Sequence, residues 1–218
     1  MARLDSNPPA RKIRMSYRYV TGKVALGDGG AATYESTLER DWLQVLDFDP
    51  TVRSLQVQPF TLHYDFNGQS RRYTPDVKVT FSDDSVVVFE VKPREVLLGE
   101  WANLRHRFWA ATRHCRHNGW RFKVVTERDI RTAFWNNATF LRRYRNLPPN
   151  PAVEQMLLNS LIALGETTPQ SLLAAAYWCS DNRASAIPYL WKLVGTYRVG
   201  MCLSVPLSMQ SVIWPVVS

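Results

Sequence analysis

Two carboxylates and an ammonium group occur within a short segment of this chain, at Asp76, Glu90 and Lys92. The residues between Asp76 and Glu90 are mostly apolar, apart from a polar stretch at 82–85 that is typical of a turn. This pattern predicts a β-hairpin in which Asp76 opens the first strand and the second strand leads to Glu90. Alternate side chains of a strand share a face, so Glu90 and Lys92 point to one side and Val91 to the other. A hairpin in register therefore brings the three charged groups to one place.

The chemistry that this combination supports is metal-assisted hydrolysis of a phosphodiester. Carboxylate oxygens bind Mg²⁺ and leave some of its coordination sites to water and phosphate. The ion polarises the phosphoryl oxygen and lowers the pKa of its water. A nearby lysine can orient or deprotonate that water, or stabilise charge in the transition state. A Pro-Asp pair followed by Glu-x-Lys is the motif of metal-dependent nucleases. The alternative interpretation is a hairpin at a sheet edge with solvated charges.

An amphipathic helix is predicted upstream, at residues 35–46. Its apolar stripe is formed by Leu38, Trp42, Val45 and Leu46. Ser36 followed three residues later by Glu39 has the pattern of a capping box, which gives Glu39 a structural role. Glu35 and Asp41 lie on the same helix and are expected to be solvated.

Strands are predicted after this helix, at residues 55–59 and 61–66. The Asn67-Gly68 pair is a strong signal for a hairpin turn. We expect strand structure after that turn from Arg71 to Val79.

Six short motifs occur in order along residues 30–130. They are Ser36-x-x-Glu39-Arg40-Asp41, Leu46-Asp47-Phe48-Asp49-Pro50-x-Val52, Gln58-Pro59-Phe60, Tyr73-Thr74-Pro75-Asp76, Glu90-Val91-Lys92-Pro93 and Phe122-x-Val124-Val125-Thr126-Glu127. In these motifs the chain resembles the TnsA endonucleases of heteromeric cut-and-paste transposons.

The resemblance implies an α/β fold of the restriction-endonuclease-like kind, with a mixed sheet flanked by helices. It implies that Glu39, Asp76, Glu90 and Lys92 are the catalytic set, and that Glu39 is a metal ligand as well as a helix cap. Glu39, Asp76 and Glu90 are then the side chains that bind Mg²⁺, with Mn²⁺ able to substitute. The carbonyl of Val91 is a further candidate ligand, and Lys92 positions or activates the attacking water.

The resemblance also implies a function and partners. The substrate is double-stranded DNA at transposon ends, and this chain cuts the 5′ ends. A TnsB-type transposase cuts and joins the 3′ ends, and a TnsC-type ATPase regulates both. We expect the partner to read the end sequence, so that this chain alone cleaves weakly or not at all.

Two other function classes remain open. One is a restriction or junction-resolving nuclease with the same motif, although that motif does not require the helix that carries Glu39 or the segment 46–50. The other is a non-catalytic DNA-binding or assembly subunit. The presence of all four residues of the catalytic set argues against that class.

Basic residues are frequent after Lys92, on a predicted helix at 101–117 and a predicted strand at 120–126. Candidate phosphate contacts on these elements are Arg105, Arg107, Arg113, Arg116, Arg121 and Lys123. The alternative for each is an ordinary solvated position. The run His114-Cys115-Arg116-His117 lacks a second pair of spaced ligands, so a structural zinc site is not expected. Another helix is predicted to begin near Glu127 and to continue to Arg145.

A domain boundary is predicted at 147–151, where three prolines occur. Three helices and two short strands are predicted beyond it, which is the element order of a small winged-helix domain. The third helix and its surroundings carry few cations, namely Arg183, Lys192 and Arg198. A packing or protein-docking domain is therefore an alternative to a DNA-binding one. The resemblance implies assembly with the ATPase and the transposase.

The composition is consistent with these predictions. The chain has 218 residues, and 27 Lys+Arg against 19 Asp+Glu give a net charge of +8, which favours a polyanionic partner. We expect a basic N-terminal arm (1–28), a catalytic domain (29–147) and a winged-helix-like C-terminal domain (148–218). The basic residues of the arm are Arg3, Arg11, Lys12, Arg14, Arg18 and Lys23, and an ordinary disordered terminus is the alternative. The odd number of unpatterned cysteines, and the lack of a signal-peptide core or long apolar run, predict a cytoplasmic protein without a membrane partner. The resemblance to the TnsA endonucleases implies that this cytoplasm is bacterial.

Overall fold

A computed structural model describes residues 3–4, 10, 22–26 and 30–216. The chain divides into an N-terminal unit, residues 1–131, and a C-terminal unit, residues 132–218. The described elements of the N-terminal unit are, in chain order, β1 (Arg3–Leu4), β2 (Gly22–Ala25), β3 (Ala31–Tyr34), α1 (Thr37–Phe48), β4 (Val52–Val57), β5 (Leu62–Phe66), β6 (Gln69–Tyr73), β7 (Val77–Phe81), β8 (Val86–Val91), α2 (Arg94–Gly99), α3 (Trp101–His117), β9 (Arg121–Val125) and α4 (Glu127–Ile130). Those of the C-terminal unit are α5 (Ala133–Arg145), α6 (Pro151–Leu164), α7 (Pro169–Ala176), α8 (Ser180–Gly195), β10 (Val199–Met201) and β11 (Ile213–Pro215).

The N-terminal unit is built on a mixed sheet with the strand order β1-β4-β7-β8-β9. The outer pairs, β1 with β4 and β8 with β9, are parallel, while β4–β7 and β7–β8 are antiparallel. Helices cover both faces. Trp42 of α1 lies edge-on to Phe89 at 5.0 Å between ring centroids. Phe108 of α3 lies 5.9 Å from Phe122, which pairs with Val88 and so faces the opposite side from Phe89. The predicted mixed sheet flanked by helices is confirmed.

The hairpin predicted from the charged residues is present as β7 and β8. Val77 pairs with Phe89 and Val79 with Val87. The N–H of Phe81 donates to the carbonyl of Ser85 at 2.9 Å across the turn. Asp84 in that turn has φ 63°, a left-handed conformation that aspartate tolerates better than most residues.

The segment predicted as strand from Arg71 to Val79 forms two strands, β6 and β7. β6 ends at Tyr73 and pairs only with β5 in a separate two-stranded sheet, whereas β7 begins at Val77 and belongs to the main sheet. Pro75 lies between them and has no N–H with which to continue a ladder. The break turns the chain from one sheet into the other immediately before the hairpin.

The single helix predicted from Glu127 to Arg145 is wrong. Thr126 does form a capping box with Asp129, but α4 ends at Ile130. Thr132 then has extended backbone (φ −93°, ψ 178°), and α5 begins at the next residue. The interruption coincides with the division between the two units.

The helix α5 belongs to the C-terminal unit, so the structural division lies upstream of the proline-rich boundary predicted from sequence. Its Asn137 is buried and donates to the carbonyls of Leu203 and Val205 at 2.9 and 2.7 Å. The same side chain accepts a hydrogen bond from the N–H of Leu207. On α8, a Cβ at Gly195 would lie 3.3 Å from a backbone oxygen of α5, so the glycine permits close packing of the two helices.

The proposed N-terminal arm lies mostly outside the described residues, including its Arg11, Lys12, Arg14 and Arg18. Two of its basic residues are described, and both lie in strands. Arg3 is in β1, beside β4, and Lys23 is in β2, which pairs with β3. None of the helices in the described ranges combines the length and apolar composition needed to cross a bilayer.

The three cations near the predicted third helix, Arg183, Lys192 and Arg198, are engaged within the C-terminal unit. Glu154 of α6 is buried and accepts hydrogen bonds from Lys192 at 2.9 Å and Arg198 at 2.6 Å. Arg183 donates to the carbonyls of Tyr177 and Trp178. Burial opposes ionisation of Glu154, but the Lys192 hydrogen bond and the neighbouring donors and charges outweigh it and lower the pKa of its carboxyl.

We expect Glu154→Gln to lower the free energy of unfolding of the C-terminal unit by about 1.5–3 kcal/mol at pH 7, the range for hydrogen bonds to charged groups. Because the pKa is lowered on folding, this stabilisation is present above the ordinary value of 4.5 and is lost as the pH falls through the lower folded value. Calorimetric melts at pH 7 and pH 3 measure both effects. Glu166→Gln, at an exposed position, is the control. An equal loss at both pH values would contradict an ionic role.

Candidate active site

Asp76 and Glu90 are brought together by the register of β7 and β8. Continuing the pairing of Val77 with Phe89 by one residue places Asp76 opposite Glu90. The backbone oxygen of Asp76 accepts from the N–H of Gln58 at 2.7 Å. Its carboxylate Oδ2 accepts from the N–H of Val91, also at 2.7 Å. Both the backbone and the side chain of Asp76 are therefore fixed relative to the ends of the central strands.

The ammonium of Lys92 lies among three oxygens of this site. Its Nζ is 3.0 Å from Oε1 of Glu90, 3.0 Å from the carbonyl oxygen of Val91 and 3.9 Å from Oδ2 of Asp76. The N–H of Lys92 donates to Val125 at 3.0 Å, which extends the pairing of β8 and β9 past Glu90. The predicted convergence of Asp76, Glu90 and Lys92 is thus present in the structure.

Tyr73 and Arg107 complete the surroundings of Glu90. The hydroxyl of Tyr73, the last residue of β6, donates to Oε2 of Glu90 at 2.5 Å. The guanidinium carbon of Arg107 lies 5.8 Å from the centre of the Tyr73 ring. Tyr73 was part of a motif but carried no predicted role. The sequence signal that could have indicated a role for Tyr73 is its position shortly before Pro75, where the strand breaks.

Glu39 approaches the cluster from the first turn of α1. Its Oε2 accepts from the N–H of Glu35 at 2.8 Å and its Oε1 from the hydroxyl of Ser36 at 3.0 Å. The oxygen of Ser36 in turn accepts from the N–H of Glu39 at 3.1 Å. Ser36 is therefore the N-cap of α1, as predicted. The carboxylate of Glu39 is also close enough to Lys92 and Asp76 for their charges to influence one another.

The cluster holds more negative than positive charge in a largely buried place. Burial, and then the nearby charge of Glu90, raise the pKa of Asp76 well above its ordinary value, against the opposing effect of Lys92. Burial likewise raises the pKa of Glu39. Burial alone would lower the pKa of Lys92, but Asp76 and Glu90 outweigh it and raise the pKa. The amine of Lys92 therefore stays protonated, and its single positive charge does not balance the negative charge of the surrounding carboxylates.

The donors of this cluster fit a hard divalent cation. No three His, Cys, Asp or Glu side chains in the described ranges already form a metal-holding arrangement. The positive charge of the Lys92 ammonium is instead surrounded by carboxylate oxygens of Glu90 and Asp76 and by the carbonyl oxygen of Val91. Carboxylate and backbone oxygens are the ligands that Mg²⁺ prefers, and the excess negative charge would be relieved by a second cation. The side chains that could hold it are Asp76, Glu90 and Glu39, together with the carbonyl of Val91.

Asp41 was expected to be solvated, and this prediction is wrong. It is 1% exposed and forms ion pairs with Arg40 at 2.7 Å and Arg131 at 3.0 Å. Arg131 follows α4, so the pair ties the helix that carries Glu39 to a segment ninety residues further along the chain. A contact of that range has no local signal in the sequence.

The predicted DNA-binding residues occupy different environments. Arg107 lies beside Tyr73, next to the carboxylate cluster. Arg105 lies over the ring of Trp109, and Arg113 lines a groove beside α3. Arg116, Arg121 and Lys123 are exposed, and Arg121 pairs with Val87, toward the turn and away from Glu90. Cys115, in the run with two histidines, is buried in α3, and burial raises the pKa of its thiol to about 11.

The fold and the cluster together define a class of protein. A mixed sheet flanked by helices, with acidic residues where two central strands meet and a lysine two residues beyond, fits the restriction-endonuclease-like nucleases. Residues 49–127 match the family described as TnsA-like endonuclease N terminal. These residues therefore form a TnsA-like endonuclease domain, which supports a nuclease in Tn7-like transposition. The match includes Asp76, Glu90 and Lys92, while Glu39 precedes it. Among curated proteins, no match to the chain is found.

We expect Lys92→Met to destabilise the metal-free N-terminal unit by about 3 kcal/mol, because it leaves buried carboxylates without their ammonium partner. Urea unfolding in EDTA, followed by tryptophan fluorescence, measures the change. Lys123→Met, at an exposed position on β9, is the matched control and should change stability by less than about 0.5 kcal/mol. Equal stability of the two variants would show that the ammonium does not offset the charge of the cluster.

Proposed function

We propose that this chain is a metal-dependent DNA endonuclease that cuts the 5′ ends of a transposon in the bacterial cytoplasm. It acts with a TnsB-type transposase, which cuts and joins the 3′ ends, and a TnsC-type ATPase regulator. The observation that carries the proposal is the convergence of oxygens from Asp76, Glu90 and Val91 on the ammonium of Lys92. This convergence lies inside the segment that matches the TnsA-like family.

Asp76, Glu90, the Val91 carbonyl and Glu39 are the proposed ligands of Mg²⁺, for which Mn²⁺ substitutes. When bound, the ion supplies positive charge to the scissile phosphate and lowers the pKa of a coordinated water. Lys92 stays protonated beside the carboxylates, so it orients the attacking water and donates to oxygens that gain charge. Tyr73 holds one oxygen of Glu90 and so fixes the direction of the other.

The basic residues of α3 and β9 are proposed to contact the DNA backbone. Arg107 is next to the carboxylate cluster, where it can contact a phosphate close to the cleaved bond. The outer contacts are Arg105, Arg113, Arg116, Arg121 and Lys123. Phosphate contacts of this kind position a duplex without reading its sequence, which leaves recognition of the transposon end to the TnsB-type partner.

The C-terminal unit is proposed to be a winged-helix-like module that binds protein partners. Its described elements after residue 150 are three helices followed by the antiparallel strands β10 and β11. Arg183, Lys192 and Arg198, the cations that a DNA-binding helix would use, bond to groups within the unit. Their engagement favours assembly with the ATPase and the transposase over DNA binding.

The first test is strand-specific cleavage of a plasmid that carries the transposon ends, with the TnsB- and TnsC-type partners and Mg²⁺. We expect Asp76→Ala to lose the 5′ cuts, by at least about a hundredfold as for other removed catalytic groups, and to retain the 3′ cuts and joining. Sequencing gels of each strand measure both. If Asp76→Ala cuts both strands as well as wild type, the catalytic proposal fails and an assembly role remains.

Metal binding can be tested without activity. We expect Mg²⁺ to raise the melting temperature of the wild-type protein, because a cation that binds only the folded state stabilises it. The increase should be larger for Lys92→Met, in which no ammonium competes for the same oxygens. The increase in melting temperature should be small for Glu90→Gln. The control is Glu95→Gln, at an exposed position on α2, which should show the same increase as wild type. Equal increases in all of these proteins would mean that Mg²⁺ binds elsewhere.

A further inference from the structure

A groove of about 790 Å³ runs between the β5–β6 hairpin and α3 in the N-terminal unit. One wall is β5, residues 62–66. The other is a single face of α3, which contributes His106, Trp109, Ala110, Arg113, His114 and His117. From His106 to His117 this face is about 16 Å long at 1.5 Å per residue. The four histidines of the chain all line the groove.

Aromatic rings give the groove flat, accessible faces. Trp109 is 61% exposed, whereas tryptophan side chains are on average largely buried. His106 lies 5.6 Å from Trp109 with its ring at 87°. On its other side His106 stacks on Phe66, at 3.6 Å between centroids and 32° between planes. Rings from both walls thus form a platform at one end of the groove.

Positive charge surrounds this platform. The guanidinium carbon of Arg105 is 5.7 Å from the Trp109 ring, and that of Arg71 is 6.0 Å from the Phe66 ring. Arg113 lines the groove directly. Among the described lining residues Asp65 is the only carboxylate. The groove is complementary to an anionic ligand that carries flat rings.

A single strand of nucleic acid has both properties. In a duplex the base faces are covered by neighbouring bases, so only backbone and groove edges are accessible. Unpaired bases expose their faces and stack on aromatic side chains, while the backbone follows a positively charged groove. An exposed tryptophan between arginines therefore distinguishes unpaired nucleotides from duplex DNA.

We propose that this groove binds a short run of unpaired DNA nucleotides, with bases stacked on Trp109 and phosphates bound by Arg113 and Arg105. The elements that form the groove also reach the carboxylate cluster. Tyr73, at the end of the β5–β6 hairpin, donates to Glu90, and Arg107, next to His106 on α3, lies over the Tyr73 ring. We place the continuation of a bound strand at Asp76 and Glu90. That placement rests on the proposed nuclease function, whereas the binding itself does not require catalysis.

The test measures binding in EDTA, so that cleavage plays no part. Fluorescence anisotropy is recorded with a labelled twelve-nucleotide oligo-dT and with a dT·dA duplex of the same length, at low salt. We expect Trp109→Ala to weaken binding of the single strand about fivefold to a hundredfold, the effect of losing one stacked base, and to change duplex binding less than about twofold. Trp109→Phe should retain most of the single-strand affinity. Arg113→Gln should weaken single-strand binding as a second groove variant that keeps the platform.

Trp178→Ala is the matched control, since Trp178 is 98% exposed and lies in the other unit. It should change neither affinity. The proposal is overturned if Trp109→Ala weakens both ligands equally or neither, or if wild type binds no single strand at about 100 µM, the weak limit of non-specific binding. The last result would favour a protein ligand for the groove. Failure of the cleavage experiment with Asp76→Ala would leave all of these outcomes unaffected.

Discussion

The attraction between one ammonium and three surrounding oxygens governs the centre of this protein. Asp76, Glu90 and Glu39 gather negative charge where solvent is largely excluded, and Lys92 provides positive charge at the same point. Carboxylates in such surroundings are costly to ionise unless a cation is present. The chain meets this requirement with the lysine in the metal-free protein. The same oxygens are of the kind that a hard divalent ion prefers.

Each element around the cluster serves to hold these groups in place. The antiparallel register of β7 and β8 sets Asp76 against Glu90, and the parallel pairing with β9 continues to Lys92. The break at Pro75 frees β6 to deliver the hydroxyl of Tyr73 to Glu90. Pairing of Asp41 with Arg131 anchors the helix that presents Glu39. The geometry of the site is thus determined by strand register and by a few long-range polar contacts.

Local patterns in the sequence were sufficient for the parts of the molecule that depend on neighbouring residues. The β7–β8 hairpin, the cap at Ser36 and the span of α3 follow from alternation, capping and helical periodicity. The differences from the sequence-based expectations occur where contacts between residues far apart in the chain determine the structure. Asp41 appeared solvated because its partner Arg131 is ninety residues away. The two compact units divide after residue 131, because α5 packs on α8 and Asn137 bonds to the 203–207 loop, and neither contact is visible in composition.

The double engagement of Glu39 restricts how this position can change in evolution. Its carboxylate closes the first turn of α1 through Ser36 and the N–H of Glu35, and it also adds charge beside Asp76. Glutamine could accept from the N–H of Glu35 with its carbonyl oxygen and donate from its amide to the hydroxyl of Ser36, but it would remove the charge. Aspartate would keep the charge, but its side chain is one methylene shorter and could not make the same reach. With the metal role proposed for Glu39, a lineage that abandons cleavage has a path through glutamine that keeps the helix cap, so the loss of cleavage need not leave any trace in the fold.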